Sequence, residues 1–405
     1  MSEKALAGVK VVDFGWVLVS PLTVKLLGDY GATAICVESP KNPGINRMGT
    51  PFKDGKPGVD RAGHFAYCAP NKLSISVDFR NPRGKEICER LVAWADVVSE
   101  NRRAGVIKKM GLDYESLTKI NPGIIMVSSS NQGQTGPFAS HPGLGIHLLG
   151  LGAFNTCLGW PEKEAITLTV AYTDYLTPPL AVATIVAALD RKRRTGEGQF
   201  LDVSQLEAGL HFMATPILDR AVNGREPEKM GNAAPCAAPH SIYRCQGDDR
   251  WCAIAVFTDT QWAAFCKVAG QPGWVLDPRF STLARRKENE DELNRLVEAW
   301  TSGQGAEDVM TKLQAAGVAA GVVQTSKDVY EDKQLAHRGF FWKMDHHEMG
   351  PFTHLGEPAN LSVTPATPEL PAPCLGEHTE MICKELLGLN DDEFVDYMIN
   401  GAFGF

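Results

Sequence analysis

Short apolar runs alternate with amphipathic stretches through the first 130 residues of the chain. The runs are rich in Val and Ile and have the length of strands, whereas the stretches between them repeat apolar positions with a helical period. The pattern predicts strands at 9–14, 32–38, 73–77, 96–99 and 124–129, with helices at 22–30, 82–94 and 114–120. Strands that alternate with helices at this spacing predict a parallel sheet covered by helices on both faces.

The pattern changes after a polar stretch of small residues at 225–235, which we interpret as a linker. Two strands and three helices follow, and Val322-Val323 resembles a closing strand, so a small α+β domain is expected here. Its predicted elements are strands at 241–245 and 251–257 and helices at 259–269, 287–300 and 307–316. Beyond residue 334 the chain returns to strand and turn signals and is predicted to end in a short helix, 379–387.

The turns after the predicted strands carry the first functional information. The turn that runs from Gly15 to Pro21 lacks the GxGxxG glycine spacing, which argues against a dinucleotide-binding site. The glycine-containing loop at 131–137 follows a strand, and loops at the carboxyl ends of parallel strands are where α/β proteins bind ligands.

Composition narrows the function further. The chain has 405 residues, enough for two domains, and its net charge of −8 argues against a nucleic-acid partner. Its ten cysteines include no CxxC pair, which favours reduced, buried thiols in a cytoplasmic protein. The first residues lack a secretion signal and no apolar run is long enough to span a membrane, so no membrane partner is expected.

Several common chemistries lack their motifs. His346, His347, His354, Cys374 and His378 are not spaced like zinc ligands, so no metal site is expected. No GxSxG elbow of a serine hydrolase is present. Two basic clusters have two interpretations, phosphate binding or a solvated helix face: Arg80 with Arg83 and Lys85, and Arg102-Arg103 with Lys108-Lys109.

Asp174 is the most informative acidic residue. A strand-like stretch at 167–173 leads to this carboxylate, and the apolar run at 180–189 predicts a long helix behind it. A carboxylate held rigidly at a strand end suits a nucleophile. The segment alone favours the commoner role, in which Thr173 or Asp174 caps the helix.

Taken together, the motifs resemble one family. The resemblance runs in order from about Leu6 to Gly401 and identifies the chain as a member of the class III CoA-transferases, the formyl-CoA, carnitine and benzylsuccinate CoA-transferase type. The segments that carry it are Asn71-Lys72-Leu73-Ser74-Ile75, Asp78-Phe79-Arg80, the run from Ala95 to Asn101, Gly133-Gln134-Thr135-Gly136-Pro137, Asp174 with its helix, Thr195-Gly196-Glu197-Gly198-Gln199, Arg338-Gly339-Phe340-Phe341 and Leu375-Gly376-Glu377-His378-Thr379.

The resemblance implies a doubly wound, Rossmann-like large domain built from both chain ends, with a smaller central α+β domain. The corresponding domains are 1–224, 225–329 and 330–405, the last returning to the large domain. Family members form intertwined dimers, so a homodimer, or a heteromer with a related subunit, is implied.

The resemblance also assigns roles to individual residues. It makes Asp174 the nucleophile, which reverses the preference for a cap. Coenzyme A is implied as a substrate, with no tightly bound cofactor, and its contacts fall on Val17, Leu18, Val77, Arg80, Asn101, Val106 and Lys109. The chain departs from the family at Leu18, where an amide is frequent, at Asn101-Arg102-Arg103-Ala104-Gly105, where Asn-Phe-Arg-Pro-Gly is frequent, and at Ala237-Ala238-Pro239-His240-Ser241, where some members have a glycine-rich loop.

The substrates are predicted less closely than the reaction. We favour succinyl-CoA as donor and a bulky aromatic dicarboxylate such as benzylsuccinate as acceptor, with carnitine-like acids as another option. The pocket for the acceptor would be lined by Trp16, Phe138, His147, Tyr172 and Tyr175. Two alternatives remain open: an α-methylacyl-CoA racemase with His147 and Asp174 as acid and base, and a non-catalytic subunit of a heteromeric transferase.

Overall fold

The computed structural model describes residues 4–404, which form two compact units. The larger unit consists of residues 4–155, 167–226 and 336–404, and the smaller consists of 156–166 and 227–335. Residues 156–166 belong to the smaller unit, whereas the sequence predicts them as part of the large domain. No described helix is both long enough and apolar enough to cross a membrane.

A six-stranded parallel sheet forms the centre of the large unit, as the alternation of strands and helices predicted. Its strand order is β3-β2-β1-β4-β5-β6, in which the direction of progression reverses between β1 and β4. The strands are β1 Lys10–Asp13, β2 Thr33–Glu38, β3 Lys72–Ser76, β4 Val97–Glu100, β5 Ile125–Ser130 and β6 Phe200–Ser204.

Both faces of this sheet are buried, which confirms the doubly wound architecture. Val12 and Val98 point into one apolar layer and their neighbours Val11 and Val97 into the other, because successive strand residues face opposite sides. The helices of this unit are Val19–Asp29, Ile45–Met48, Gly63–Cys68, Pro82–Trp94, Val106–Lys109, Tyr114–Ile120, Gly145–Leu151, Tyr172–Thr195, Gln205–Phe212, Ala214–Asn223, Thr379–Met381 and Asp391–Ile399, with a 3-10 turn at Lys53–Gly55 and a π-helical turn at Ile382–Leu386.

The small unit has an antiparallel sheet and its own apolar core. The sheet order is β7-β8-β9, and Trp262, Phe265 and Phe280 lie in the core. The strands are β7 His240–Arg244, β8 Trp251–Ala255 and β9 Ala319–Val322, and the helices are Asp259–Val268, Leu283–Glu288, Glu290–Thr301, Ala306–Ala315 and Ser326–Tyr330, with a 3-10 turn at Pro272–Val275. Two further helices, Phe154–Cys157 and Lys333–His337, lie where the chain changes units. In the large unit's last segment, β10 Phe341–His346 and β11 Gly350–Leu355 form a hairpin.

Three predicted elements were wrong. Residues 167–171 form no strand, and Asp174 lies in the first turn of Tyr172–Thr195, whose N-cap is Ala171 rather than Thr173 or Asp174. The single helix predicted at 287–300 is two helices that meet at Asn289. The chain does not end in the helix near 379–387, because Asp391–Ile399 follows it.

Candidate active site

The loops after β1 and β4 meet at the carboxyl edge of the sheet, at the point where strand order reverses. Open α/β sheets bind ligands in the crevice at this position. The side chain of Asn101 joins the two loops: the backbone N–H of Trp16 donates to its Oδ1 at 3.0 Å, and its Nδ2 donates to the carbonyl oxygen of Val17 at 2.7 Å. Three predicted site residues therefore lie together at the crevice.

A cavity of about 460 Å³ lies along the carboxyl ends of β1, β2 and β3 and is rich in cations. Lys41 pairs with Asp78 at 2.7 Å, and this hydrogen bond holds the pKa of Asp78 below its usual range. In residues 4–404, no ion pair involves the other four lysine and arginine side chains that line it, Arg80, Lys85, Arg102 and Lys109. Their charge is available for an anionic ligand, and lysine and arginine clusters of this kind bind phosphates.

A second cavity, of about 280 Å³, lies on the other side of the reversal point, between the loops after β1, β4 and β5. Val17, Asn101 and Val106 line it, as does Trp16, which also lines the first cavity. Its far wall is the segment 139–144, which leads directly into the helix Gly145–Leu151. The cavity therefore connects the predicted coenzyme A residues with the start of that helix.

The carboxylate of Asp174 lies against the start of the same helix. A Cβ atom on Gly145 would be only 2.2 Å from its Oδ1, so the contact depends on glycine at this position. The Thr173 hydroxyl donates to the carbonyl oxygen of Gly145 at 3.4 Å and ties the two helices together. Residues 143 and 144, which line the second cavity, directly precede Gly145 in the chain.

Asp174 is buried without hydrogen-bond donors. The residue is 7% exposed, and no group within residues 4–404 donates a hydrogen bond to its carboxylate. Burial alone raises its pKa to about 7. A carboxylate that has lost its hydration and is half ionised near neutral pH is a reactive nucleophile.

Tyr175 connects the nucleophile to the loop after β1. Its ring packs on a small apolar cluster that contains Leu18, Leu22 and Cys68, and its ring centre lies 6.5 Å from that of Tyr67. Burial, followed by the nearby Tyr67, raises the pKa of Tyr175 to about 12, so its phenol stays protonated at neutral pH. Leu18, predicted as a coenzyme A contact, is buried in this cluster rather than lining either cavity.

The remaining predicted residues are more dispersed. Val77 is fully buried in the core beside β3 and lines neither cavity. Phe138 and Tyr172 are exposed, the first beside His141 and the second edge-on to Phe154. His147 is also exposed, and its Nδ1 accepts a hydrogen bond from the backbone N–H of Leu144 at 3.0 Å. Their roles in substrate binding stay predictions.

The structure adds residues that sequence reasoning did not assign. Gly145 gives no sequence signal, because its importance depends on the approach of a separate helix, Tyr172–Thr195. Lys41 at the first cavity is such a residue, whereas Lys85 belongs to a basic cluster for which the sequence leaves phosphate binding open. Within residues 4–404, no group of three or more metal-ligating side chains is assembled.

Comparison with known proteins assigns the chain to the same family as the sequence motifs do. A model of CoA-transferase family III matches residues 6–379. The chain is 32% identical over 391 residues to the succinyl-CoA–D-citramalate CoA-transferase of Chloroflexus aurantiacus, covering 96% of each chain. It is 31% identical over 384 residues to the succinate–glutarate CoA-transferase of Agrobacterium fabrum, covering 94% of this chain and 95% of the relative.

A solved structure agrees in fold. The chain superposes on a CAIB/BAIF family protein from Brucella suis with a TM-score of 0.87 and 34% identity, covering 95% of this chain and all of that one. The resemblance drawn from the motifs is thereby confirmed. The chain belongs to CoA-transferase family III and is a CoA-transferase, an enzyme whose substrates are CoA thioesters and carboxylic acids.

Proposed function

We propose that this enzyme moves CoA from succinyl-CoA to an acceptor acid through a thioester on Asp174. The observation that carries the proposal is the buried carboxylate of Asp174, which has no hydrogen-bond donor within residues 4–404 and lies against Gly145, the residue that follows the lining of the second cavity. A carboxylate in this state has lost the solvation that would weaken its attack on a carbonyl carbon.

The reaction proceeds in two symmetrical halves. A carboxylate oxygen of Asp174 attacks the donor's thioester carbonyl, the C–S bond breaks, and a mixed anhydride and CoA thiolate form. The thiolate attacks the aspartyl carbonyl, which releases succinate and leaves CoA bonded to Asp174. The acceptor carboxylate repeats both steps in reverse and regenerates the Asp174 carboxylate. No proton is gained or lost overall.

The choice of substrates rests on the relatives and on the residues near the site. Two relatives are named for succinyl-CoA or succinate, with D-citramalate and glutarate as the other acids, which supports succinyl-CoA as donor and a dicarboxylate as acceptor. The exposed rings of Trp16, Phe138 and Tyr172 support the aromatic acceptor predicted from the sequence. We therefore propose a dicarboxylate acceptor and include benzylsuccinate among the acids to test.

Isotopic oxygen provides the test of this route. Each acceptor molecule passes one carboxylate oxygen to Asp174, and Asp174 passes one to succinate in the next turnover. With acceptor labelled by ¹⁸O in both carboxylate oxygens, we expect succinate to approach one label per molecule after several turnovers. Succinate that stays unlabelled in the same reaction would contradict a covalent intermediate on a carboxylate.

The racemase alternative is less well supported by the geometry. Because Nδ1 of His147 accepts a hydrogen bond from Leu144, the neutral ring carries its proton on Nε2 and has no free lone pair to act as a base. Exchange of the α-hydrogen of 2-methylacyl-CoA in deuterated water, at a rate comparable to transfer, would favour the racemase.

We further propose that the chain works as a dimer of the intertwined type. No residue of the helix Ala214–Asn223 is buried, although it carries Ile217, Leu218 and Val222 on its surface. An apolar helix face with no cover within its own chain supports a protein partner. A second copy of this chain or a related subunit would cover this apolar face.

A further inference from the structure

A buried lysine on β3 forms an ion pair with the last residue of β1. Lys72 is 1% exposed and Asp13 is 2% exposed, and Nζ of the lysine donates to Oδ2 of the aspartate at 3.1 Å. Because β2 lies between the two strands, the lysine side chain crosses a whole strand to reach its partner. Taking two charges out of water is costly, so a buried pair is weak evidence for a role in stability. The pair is better explained by what it holds in place.

The pair fixes both ends of the loop after β1. At the start of the loop, the backbone N–H of Gly15 donates to Oδ1 of Asp13 at 2.8 Å. The loop ends in the first turn of the following helix, where the hydroxyl of Ser20 donates to the same oxygen at 2.7 Å. In the same turn, the carbonyl oxygen of Pro21 accepts a hydrogen bond from Nζ of Lys72 at 2.7 Å. One carboxylate and one ammonium group thus hold the loop at both ends.

The two ends of this loop are also packed directly against each other. A Cβ atom on Gly15 would lie 2.5 Å from Cβ of Ser20 and 2.6 Å from Oδ1 of Asp13. These separations are too short for any side chain, so only glycine allows the ends to approach this closely. The hydrogen bonds to the ion pair therefore operate in a tightly packed arrangement, and the loop has little freedom to shift while they are intact.

The fixed loop connects the cavities with the neighbour of the nucleophile. Trp16 lines both cavities and Val17 lines the second. Leu18 is buried in the cluster on which Tyr175 packs, and Tyr175 directly follows Asp174 in the chain. The helix that begins at the end of the loop packs along the helix that carries the nucleophile. A displacement of the loop is thus transmitted to the carboxylate through packed side chains.

We propose that Lys72 is a positioning residue for the transfer reaction, an assignment that rests on the proposed role of Asp174. Through Asp13 and the carbonyl oxygen of Pro21 it fixes the loop after β1, and the loop fixes Tyr175 and the first turn of the nucleophile's helix. The ammonium group itself is buried and lines neither of the two cavities. Its loss should therefore slow the formation of the aspartyl thioester through a misplaced carboxylate.

Single-turnover formation of the aspartyl thioester measures this role. For Lys72→Met at saturating succinyl-CoA, we expect roughly 10- to 100-fold slower appearance of the adduct on Asp174, because a small displacement of a reacting group costs about that much. A rate equal to that of wild type would overturn the inference. Slowing that disappears as succinyl-CoA reaches saturation would also overturn it, since the lysine would then support binding alone.

Lys25→Met is the matched control for the loss of a buried lysine. Lys25 is 3% exposed, pairs with Asp29 at 2.5 Å and lines neither cavity. Its removal should leave the rate of thioester formation at the wild-type value, because its partners lie outside the loop after β1. Equal slowing in Lys25→Met and Lys72→Met would show a general effect of breaking a buried ion pair and would contradict the assignment.

A double variant separates loss of position from loss of stability. Lys72→Met leaves the carboxylate of Asp13 buried without a counter-charge, which destabilises a fold. Asp13→Asn combined with Lys72→Met removes both charges, so its melting temperature should recover towards wild type while thioester formation stays slow. This variant also provides the test if Lys72→Met does not fold, and recovery of the rate in it would overturn the inference. Failure of the proposed function is distinct: wild-type enzyme would then transfer CoA without an adduct on Asp174.

Discussion

Asp174 shows how one side chain can be made reactive by its surroundings alone. Burial raises its pKa to about 7, and within residues 4–404 no hydrogen bond to the ionised form opposes that rise. The same desolvation that favours attack on a thioester must also oppose folding, because the buried site in the folded chain solvates the charged carboxylate less well than water does.

We therefore expect Asp174→Asn to stabilise the protein at neutral and alkaline pH. The folded pKa of about 7 lies above the ordinary value of 3.8, so stability contributed by the protonated group is present below pH 4 and is lost as pH rises through 7. The variant should exceed wild type by up to about 4 kcal/mol at pH 8 in free energy of unfolding. Urea unfolding at pH 4 and pH 8 measures this, and an equal difference at both pH values would contradict it.

Gly145 is expected to set the position of the nucleophile. In Gly145→Ala, the new methyl group would lie 2.2 Å from Oδ1 of Asp174, so the carboxylate must shift by about 1 Å. A displacement of this size costs roughly 100-fold in rate. Pre-steady-state formation of the aspartyl thioester should slow by that factor, with coenzyme A affinity nearly unchanged.

Gly150→Ala is the control for that substitution. It lies on the same helix, and a Cβ atom there meets no atom within 4 Å. For this variant we expect the aspartyl thioester to form at the wild-type rate. Equal rates for Gly145→Ala and Gly150→Ala would show that the close approach of Gly145 to the carboxylate has no catalytic consequence.

Among the elements, the loops after β1 and β4 depend on one side chain. Replacing Asn101 by Ala removes both hydrogen bonds to the loop at 16–17, so we expect the free energy of unfolding to fall by about 1–2 kcal/mol. Affinity for coenzyme A should fall with it, because the two loops line both cavities. Chemical denaturation and calorimetry measure the two effects.

Asn121 provides a matched control at the other edge of the sheet. Its Nδ2 donates to the carbonyl oxygens of Val92 and Ala95, at the entrance to β4 rather than its carboxyl end. Asn121→Ala should lose comparable stability while binding coenzyme A as wild type does. If both variants bind equally well, the loop connection made by Asn101 does not shape the site.

Local signals decided which elements the sequence could predict. The helices Pro82–Trp94 and Tyr114–Ile120 begin and end at the predicted residues, because Asn81 and Asp113 cap them and Pro82 opens the first. The helix Asp391–Ile399 has a similar signal, a capping box of Asn390 and Glu393, although the prediction ended the chain in the preceding helix.

Other features depend on contacts that a sequence does not display. The stretch before Asp174 has alternating apolar residues typical of a strand, but at 167–171 it pairs with no other strand. The prolines at 178 and 179 lie inside the long helix, where they remove the N–H groups that would bond to the carbonyls of residues 174 and 175. Asp174 itself was identified through its family resemblance, whereas Gly145 became visible only in the folded chain.

For the whole molecule, we expect two subunits to associate into a dimer. Leu218 is 59% exposed on the helix Ala214–Asn223, none of whose residues is buried. If this face contacts a second subunit, Leu218→Arg should weaken the dimer, since it would bury an unpaired charge. Light scattering should then give half the mass of wild type. Arg220→Gln, on the same helix, is expected to leave the mass unchanged, and a monomeric wild type would contradict the account.

The central claim is that Asp174 carries coenzyme A during turnover. Intact-mass spectrometry of enzyme mixed with succinyl-CoA, followed by peptide mapping, tests it most directly. The account predicts a coenzyme A adduct on the peptide that contains Asp174, released by hydroxylamine and absent from Asp174→Asn. An enzyme that transfers CoA at wild-type rates without this adduct, or an adduct on another residue, would contradict it.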